Sequence, residues 1–124
     1  MTNAVRSPIT THVLDLSRGK PAAGIPVLLE LGLVSGDPDA QLWKPIGKGE
    51  TDSDGRVATL LPPGSPIAES TYRLTFQTAA YFKKHGVSGF YPYVQIVFDA
   101  ADASQHYHVP LLLSPHGYST YRGS

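Results

Sequence analysis

Glycine and proline divide this chain into short segments, and their spacing limits the folds open to it. The 124 residues include 12 glycines and 11 prolines. The segments between them are rich in β-branched and apolar side chains, a pattern typical of strands bounded by turns. Strands are predicted at residues 9–16, 25–34, 42–51, 56–61, 71–78, 92–99, 105–114 and 117–123. Seven or eight short strands with one short helix favour an all-β sandwich.

The helix is predicted at residues 79–86, AAYFKKHG, where the strand alternation stops. Thr78 could cap its N-terminus, and Gly86 could end it in the left-handed conformation. Two other positions predict backbone features. The Asp54-Gly55 pair indicates a hairpin turn into the following strand. Pro110 cannot donate to a ladder, so its strand should lie at a sheet edge or carry an irregularity there.

The composition indicates one globular domain with few charges. Hydrophobic residues make up 41% of the chain and charged residues 16%. Ten basic residues balance ten acidic ones, so we expect neither nucleic acid nor a membrane as a partner. The low charge favours association with further copies of the chain. No segment has the apolar length of a signal-peptide core or a membrane span, so the expected compartment is the cytoplasm.

Five histidines are the first candidates for chemistry, at positions 12, 85, 106, 108 and 116. His85 would complement the helix dipole and His116 lies in a turn, so we expect a structural or solvated role for both. His12 is different, because it interrupts an apolar strand and shares a face with Thr10 and Leu14. Taken alone, it fits either a hydrogen-bonded structural histidine or a functional one.

His106 and His108 share one face of their strand, whereas Tyr107 and Val109 point to the opposite side, which resembles core. Two parallel histidines could ligate a metal, with His12 as a third ligand. The chain has no cysteine, and no carboxylate lies at a matching spacing. Metal binding is therefore the weaker interpretation, and disulfide or thiol chemistry is excluded.

The last seven residues, YSTYRGS, carry two tyrosines and an arginine, which is unusual for a frayed end. They predict a strand whose last groups have a function. Arg56, which opens the strand after Gly55, would by itself be a solvated charge. The sequence contains no nucleophile elbow, P-loop, dinucleotide fingerprint or His-Glu-x-x-His helix.

Three motifs carry a family resemblance. TTHVLD near the start, SDGRV in the middle and HYHVPLLLSPHGYSTYRGS at the end resemble the transthyretin-related family of 5-hydroxyisourate hydrolases. The closing YRGS is a specific signature of that family. The resemblance spans residues 9–124 and leaves residues 1–8 as a short N-terminal extension. It implies a prealbumin-like β-sandwich of two four-stranded sheets with a short helix after the fifth strand, and a homotetramer built as a dimer of dimers.

The resemblance also implies a reaction. This is hydrolysis of 5-hydroxyisourate to 2-oxo-4-hydroxy-4-carboxy-5-ureidoimidazoline in urate degradation, with no metal or organic cofactor. The residues that match the family's site are His12, Arg56, His108, Tyr121, Arg122, Gly123 and Ser124. The alternative is a non-catalytic carrier of small ligands on the same sandwich. A carrier channel can be largely apolar, whereas converging histidines and an arginine favour an enzyme.

The resemblance gives each of these residues a role. His12 and His108 would orient and deprotonate a water molecule, with the choice of base left open. Arg56 would bind the substrate and hold the imidazole neutral. Ser124 would hydrogen-bond the substrate through its hydroxyl or a terminal carboxylate. Tyr121 would shape the pocket, and Tyr121, Arg122 and Gly123 would bind the substrate.

Overall fold

The computed structural model describes residues 6–124, which form nine strands and one helix in two sheets. In chain order the elements are β1 (Ile9–Asp15), β2 (Lys20–Pro21), β3 (Pro26–Leu33), β4 (Leu42–Glu50), β5 (Arg56–Val57), β6 (Ser70–Phe76), α1 (Ala79–Lys84), β7 (Val94–Ala100), β8 (Tyr107–Ser114) and β9 (Gly117–Thr120). Residues 1–5 of the expected N-terminal extension lie outside the described part, so the boundary at residue 8 stays a prediction. No helix among residues 6–124 is long and apolar enough to cross a membrane.

The two sheets confirm the predicted prealbumin-type β-sandwich. The first sheet has the order β2-β1-β8-β9, and β5 also pairs with β1, which makes five strands. The second sheet has the order β4-β3-β6-β7. The β1–β8 pair is parallel and the other pairs are antiparallel. The expected four-stranded first sheet gains its fifth member from β5, a strand of two residues.

The strand alternation determines which residues enter the core between the sheets. On β1, Ile9 and Val13 are buried, whereas Thr10 and His12 lie half-buried on the outer face. On β8, Tyr107 and Val109 are buried as predicted, and His108 is half-buried on the other side. The outer face of the β1–β8 pair is thus free to carry polar chemistry.

The helix is two residues shorter than predicted at its C-terminal end. Thr78 occupies the N-cap position, but its hydroxyl makes no capping hydrogen bond. Gly86 has the predicted left-handed conformation, with φ +71°, and its N–H donates to the carbonyl oxygen of Lys83 at 3.0 Å. The N–H of Val87 donates to the carbonyl oxygen of Phe82 at 2.9 Å, so the C-terminus is closed in the Schellman manner.

A buried hydrogen bond fastens the helix to β1. The hydroxyl of Tyr81 donates to Oδ2 of Asp15 at 2.7 Å, and both side chains are buried. Oδ1 of Asp15 accepts hydrogen bonds from the backbone N–H groups of Ser17 and Arg18 and from the Ser17 hydroxyl. The carboxylate thus shapes the turn that follows β1 and also ties the first sheet to the helix.

The predicted Asp54-Gly55 hairpin is wrong, although the turn itself is present. The strand before the turn, β4, belongs to the second sheet, and β5 pairs with β1 of the first. The N–H of Val13 donates to the carbonyl oxygen of Gly55 at 2.7 Å, which draws the turn against β1. The turn therefore connects the sheets. The predicted strand 56–61 is reduced to Arg56 and Val57, whose partners are His12 and Thr11.

Pro110 produces the expected irregularity rather than a sheet edge. Its strand, β8, lies between β1 and β9. The β8–β9 ladder ends at the pair Leu111–Thr120 and resumes as a single bridge between His108 and Gly123. Proline has no N–H to offer to β9, and its carbonyl oxygen accepts a hydrogen bond from the Thr120 hydroxyl at 2.7 Å.

Candidate active site

A cleft of about 410 Å³ opens on the outer side of β1, β5 and β8. Its polar lining includes Arg6, Thr10, Arg56, His106, His108 and Ser124. Three of the residues that the sequence singled out, Arg56, His108 and Ser124, therefore line one cavity. They come from the middle, the penultimate strand and the end of the chain, and sheet pairing brings them together.

Strand register accounts for this convergence. Thr10 of β1 is paired with His108 of β8, and His12 of β1 is paired with Arg56 of β5. His12 also lies beside Pro110 on its other side. It is half-buried and shares the outer face of β1 with Thr10, but it is not among the residues that line the cleft itself. The structure places His12 next to the cleft rather than within its wall.

Thr10 is a site residue that the sequence reasoning missed. Its Oγ1 atom lies 2.8 Å from Nδ1 of His108 and 3.1 Å from Nε2 of His106. The strand period already placed Thr10 on the same face as His12. The parallel pairing of β1 with β8, which brings it between two histidines, was not deducible from that period.

Gly123 lies against both the backbone and the ring of His108. The N–H of Gly123 donates to the carbonyl oxygen of His108 at 2.8 Å. A Cβ atom built on Gly123 would lie 2.6 Å from Cδ2 of the His108 ring and 3.2 Å from Cγ of Pro110. Glycine at this position lets the closing segment approach the imidazole, and it brings the neighbouring Ser124 to the cleft.

The electrostatics of the cleft favour neutral imidazoles. Burial, followed by the positive charge of Arg56, lowers the pKa of His108, and the neighbouring His106, His12 and Arg6 act in the same direction. Burial, followed by the charge of Arg6, lowers the pKa of His106. Removal from water and nearby cations both disfavour an imidazolium, so these rings stay uncharged at lower pH than a free histidine.

Two residues of the closing tetrapeptide lie elsewhere in the single chain. Tyr121 and Arg122 line a second cavity of about 230 Å³ between β7 and the end of the chain. Tyr121 is 58% exposed. The guanidinium of Arg122 lies 4.8 Å from the centre of the Tyr107 ring, and its Nη2 donates to Oε1 of Gln105. His108 lines both cavities, so Ser124 meets it at the first cleft and Tyr121 and Arg122 share the second cavity with it.

The remaining histidines have the structural surroundings expected of them. His85 is at the C-cap of α1, where its Nε2 is 3.3 Å from Nη1 of Arg18, and His116 is exposed. Within residues 6–124, no three His, Cys, Asp or Glu side chains are grouped so that they could hold a metal ion. The metal interpretation of His12, His106 and His108 gains no support from this arrangement.

Comparisons with known proteins agree with this fold and these motifs. The profile of the HIUase/Transthyretin family matches residues 9–123. The 5-hydroxyisourate hydrolase of Mus musculus is 48% identical over 118 residues, which cover 95% of this chain and 96% of the mouse protein. A probable 5-hydroxyisourate hydrolase of Caenorhabditis elegans is 47% identical over 116 residues, covering 94% and 81% respectively.

Solved structures give the same picture. The structure of Klebsiella pneumoniae 5-hydroxyisourate hydrolase superposes with a TM-score of 0.75 and 35% identity, covering 94% of this chain and 98% of that one. Sea bream transthyretin in complex with thyroxine superposes with a TM-score of 0.82 and 30% identity, covering 94% and 95%. The backbone is thus similar both to a hydrolase and to a transthyretin that holds thyroxine, so the fold alone does not distinguish an enzyme from a carrier.

Proposed function

Because the chain belongs to the HIUase/transthyretin family, we propose that it is a 5-hydroxyisourate hydrolase of urate degradation whose chemistry takes place in the cleft beside β1, β5 and β8. The observation that carries this proposal is the shared lining of that cleft by Arg56, His108 and Ser124. A carrier cavity for a largely apolar ligand would not need an arginine and two histidines on its wall, because each of these groups loses hydration when the cavity is filled.

The reaction requires a nucleophilic water and a place for negative charge. The water oxygen bonds to the carbonyl carbon of the strained acyl-urea ring while a histidine takes its proton. The carbonyl electrons move to oxygen, and the carbon–nitrogen bond then breaks as the ring nitrogen receives a proton. Neutral imidazole suits the base because its pKa lies near working pH, and burial together with Arg56 keeps His108 in that form.

The side chains divide these tasks. His12 and His108 are the pair that orients and deprotonates the water. Arg56 binds the substrate and stabilises the charge that develops on the attacked carbonyl, since its planar guanidinium matches a delocalised ring edge. Ser124, at the cleft, hydrogen-bonds the substrate. The substrate contacts proposed for Tyr121, Arg122 and Gly123 are supported by the family resemblance. Tyr121 and Arg122 line the second cavity together with His108, and Gly123 lies against the His108 ring.

We also propose the homotetramer, a dimer of dimers, on the basis of family membership. Exposed aromatic residues support it. Phe90, Tyr91 and Tyr118 form a chain of edge-to-face contacts, with ring centres 4.9 and 5.2 Å apart, and Phe90 is 71% exposed. A patch of this kind on a chain with little surface charge is typical of an association surface. Sedimentation equilibrium should give four times the mass of one chain.

The test of the activity is the ultraviolet decay of 5-hydroxyisourate, generated from urate in the cuvette, with and without the protein. We expect strong acceleration that His108→Ala abolishes and that His116→Ala, a histidine removed from an exposed turn, leaves unchanged. A folded, tetrameric protein that leaves the spontaneous decay unaltered would contradict the hydrolase and favour the carrier alternative.

A further inference from the structure

Arg6 lines the cleft but precedes the residues that the family profile matches. Its backbone is nevertheless fixed, because its carbonyl oxygen accepts a hydrogen bond from the N–H of Gly64 at 2.9 Å. The next two residues are held as well: Ser7 is buried, and the carbonyl oxygen of Pro8 accepts a hydrogen bond from the N–H of Tyr107 at 2.8 Å. The segment that carries Arg6 is therefore docked against the sheet beside the cleft.

Strand register places Arg6 and Arg56 on opposite sides of His108 along β1. His108 is paired with Thr10. Arg56 is paired with His12, which lies further along the same strand. Arg6 lies on the other side, because it precedes the first residue of β1. A ligand bound at His108 thus shares the cleft with a guanidinium group on each side.

The two arginines have no anionic side chain beside them in the part of the chain that the structure describes. No aspartate or glutamate lines the cleft. Within residues 6–124 the one ion pair joins Arg73 to Glu30, in the second sheet. Uncompensated positive charge on the wall of a cavity attracts an anion, and a planar guanidinium can bind a flat anionic edge through two parallel hydrogen bonds.

The charge of Arg6 also acts on the imidazoles of the cleft. Burial, followed by Arg6, lowers the pKa of His106. Burial and Arg56 are the largest causes of the lowered pKa of His108, and Arg6 acts on it in the same direction. A positive charge that disfavours an imidazolium at these positions favours a negative charge there. Arg6 is therefore part of the electrostatic environment in which a ligand would bind.

We propose that Arg6 forms a second cationic subsite of the cleft, which binds an anionic group of the ligand on the side of His108 away from Arg56 and makes the cleft select anionic purine-derived rings over neutral ones. This proposal rests on the proposed function and adds a specificity-determining residue to it. Arg56 remains the group that stabilises charge on the attacked carbonyl, whereas Arg6 holds the ligand equally before and during the reaction.

Binding of urate tests the subsite without any turnover. Urate carries a negative charge at neutral pH, whereas hypoxanthine, a similar bicyclic ring, is uncharged. Isothermal titration calorimetry should show that the native protein binds urate more tightly than hypoxanthine. Arg6→Gln should weaken urate binding about tenfold, the usual effect of losing one hydrogen bond between charged groups, and should leave hypoxanthine binding unchanged.

Steady-state kinetics test the same contact with the substrate. Arg6→Gln should raise KM for 5-hydroxyisourate about tenfold with kcat little changed, because an interaction made equally in the bound substrate and the transition state affects binding alone. KM should also depend less on salt concentration in this variant, since salt screens the charge that has been removed. Arg6→Lys keeps the charge and loses the planar group, so it should keep the salt dependence and recover only part of the affinity.

Arg18→Gln is the matched control, because it removes an exposed arginine that does not line the cleft. An equal loss of urate affinity in Arg18→Gln and Arg6→Gln would show a general effect of net charge and would overturn the subsite. A native protein that binds urate no more tightly than hypoxanthine would overturn it as well.

The outcomes separate the two proposals. Urate binding that depends on Arg6, in a protein that does not accelerate the decay of 5-hydroxyisourate, would retain the subsite and refute the hydrolase. Native urate affinity and native KM in Arg6→Gln would refute the subsite and retain the hydrolase. Arg6 is exposed, so we expect Arg6→Gln to fold. If it does not, Arg6→Lys and the salt dependence of urate binding by the native protein decide the question.

Discussion

The N–H of Gly123 donates a 2.8 Å hydrogen bond to the carbonyl oxygen of His108, and the same glycine lies against the edge of the His108 ring. The bridge is formed after the β8–β9 ladder has been interrupted opposite Pro110. The end of the chain is therefore part of the wall that orients the imidazole.

Gly123→Ala tests this relationship. The new methyl group would lie 2.6 Å from Cδ2 of His108, so the ring or the closing segment must move. We expect kcat to fall about tenfold or more, because a misplacement of about 1 Å at a catalytic group can cost a hundredfold. Gly117→Ala is the control, since its methyl group would meet only Ser114 Oγ at 3.8 Å. Equal activity of the two variants in steady-state assays would contradict the role of Gly123.

Arg56→Gln should change the titration of His108. Burial is the largest cause of the lowered pKa of His108 and the charge of Arg56 is the next, so removing that charge should raise the pKa. On acidification His108 would then become protonated at a higher pH. The acid limb of the kcat/KM profile should move to higher pH by the same amount. Loss of the guanidinium should also lower kcat about a hundredfold.

The pKa in Arg56→Gln can be followed by NMR titration of the His108 ring protons. Arg18→Gln is the matched control, because it removes an arginine that contacts His85 and does not line the cleft. A His108 pKa that is the same in Arg56→Gln and in the native protein would show that Arg56 does not keep the ring neutral.

Tyr81→Phe should make the protein more sensitive to acid. Burial raises the pKa of Asp15, but hydrogen bonds from Ser17, Tyr81 and Arg18 together outweigh it and leave the pKa below its usual value. The pKa of Asp15 is therefore lower in the folded protein than in the unfolded chain. Its carboxylate stabilises the fold at pH values above the pKa in the unfolded chain, and this stability is lost as the pH falls through the pKa in the folded protein. The variant keeps the ring and loses one of these hydrogen bonds.

For Tyr81→Phe we expect a loss of about 1.5–3 kcal/mol in the free energy of unfolding near neutral pH, the usual range for a hydrogen bond to a charged group. The midpoint of acid unfolding should move to higher pH. Tyr93→Phe, which removes a hydroxyl from a half-exposed ring, should leave both quantities unchanged. Urea unfolding at several pH values measures them, and parallel curves for the two variants would exclude the role given to Asp15.

Gly55→Ala should be destabilising for two reasons that a control can separate. Gly55 has φ +75°, and a Cβ atom there would collide with the carbonyl oxygen of Val13. Gly19→Ala also places alanine at a positive φ, +64°, but no atom lies within 4 Å of its new methyl group. We expect about 1 kcal/mol of destabilisation at Gly19 and clearly more at Gly55, measured by thermal unfolding. Similar losses at both positions would show that close approach to β1 is unimportant.

Gly55→Ala should also reduce activity, because Gly55 holds Arg56 in register with His12. The effect should appear in both KM and kcat, since Arg56 is proposed to contact the substrate throughout the reaction.

Much of the fold could be read from local patterns. The alternation on β1 and β8 predicted which faces are buried, because side chains on a strand point to opposite sides with a period of two. The Gly86 cap and the irregularity at Pro110 followed from the backbone chemistry of those two residues. These features depend on near neighbours in the chain, and the sequence contains all of the information that they need.

The family motifs also predicted four catalytic residues. These are His12, Arg56, His108 and Ser124, and three of the four line one cleft. The pattern could not tell that the turn at Gly55 connects two sheets, because an Asp-Gly turn has the same local geometry whichever strand follows it.

Most of the strands, their inner and outer faces and the residue types available for chemistry were predictable from the sequence, because they depend on periodicity and side-chain chemistry. The folded chain was needed to show that Thr10 lies between His106 and His108, and that Tyr121 and Arg122 line the second cavity. Those relationships arise from pairing between distant strands. A shift of one residue in the pairing of β1 with β8 would turn Thr10 to the other face of its strand. No local sequence pattern encodes how these two distant strands are paired.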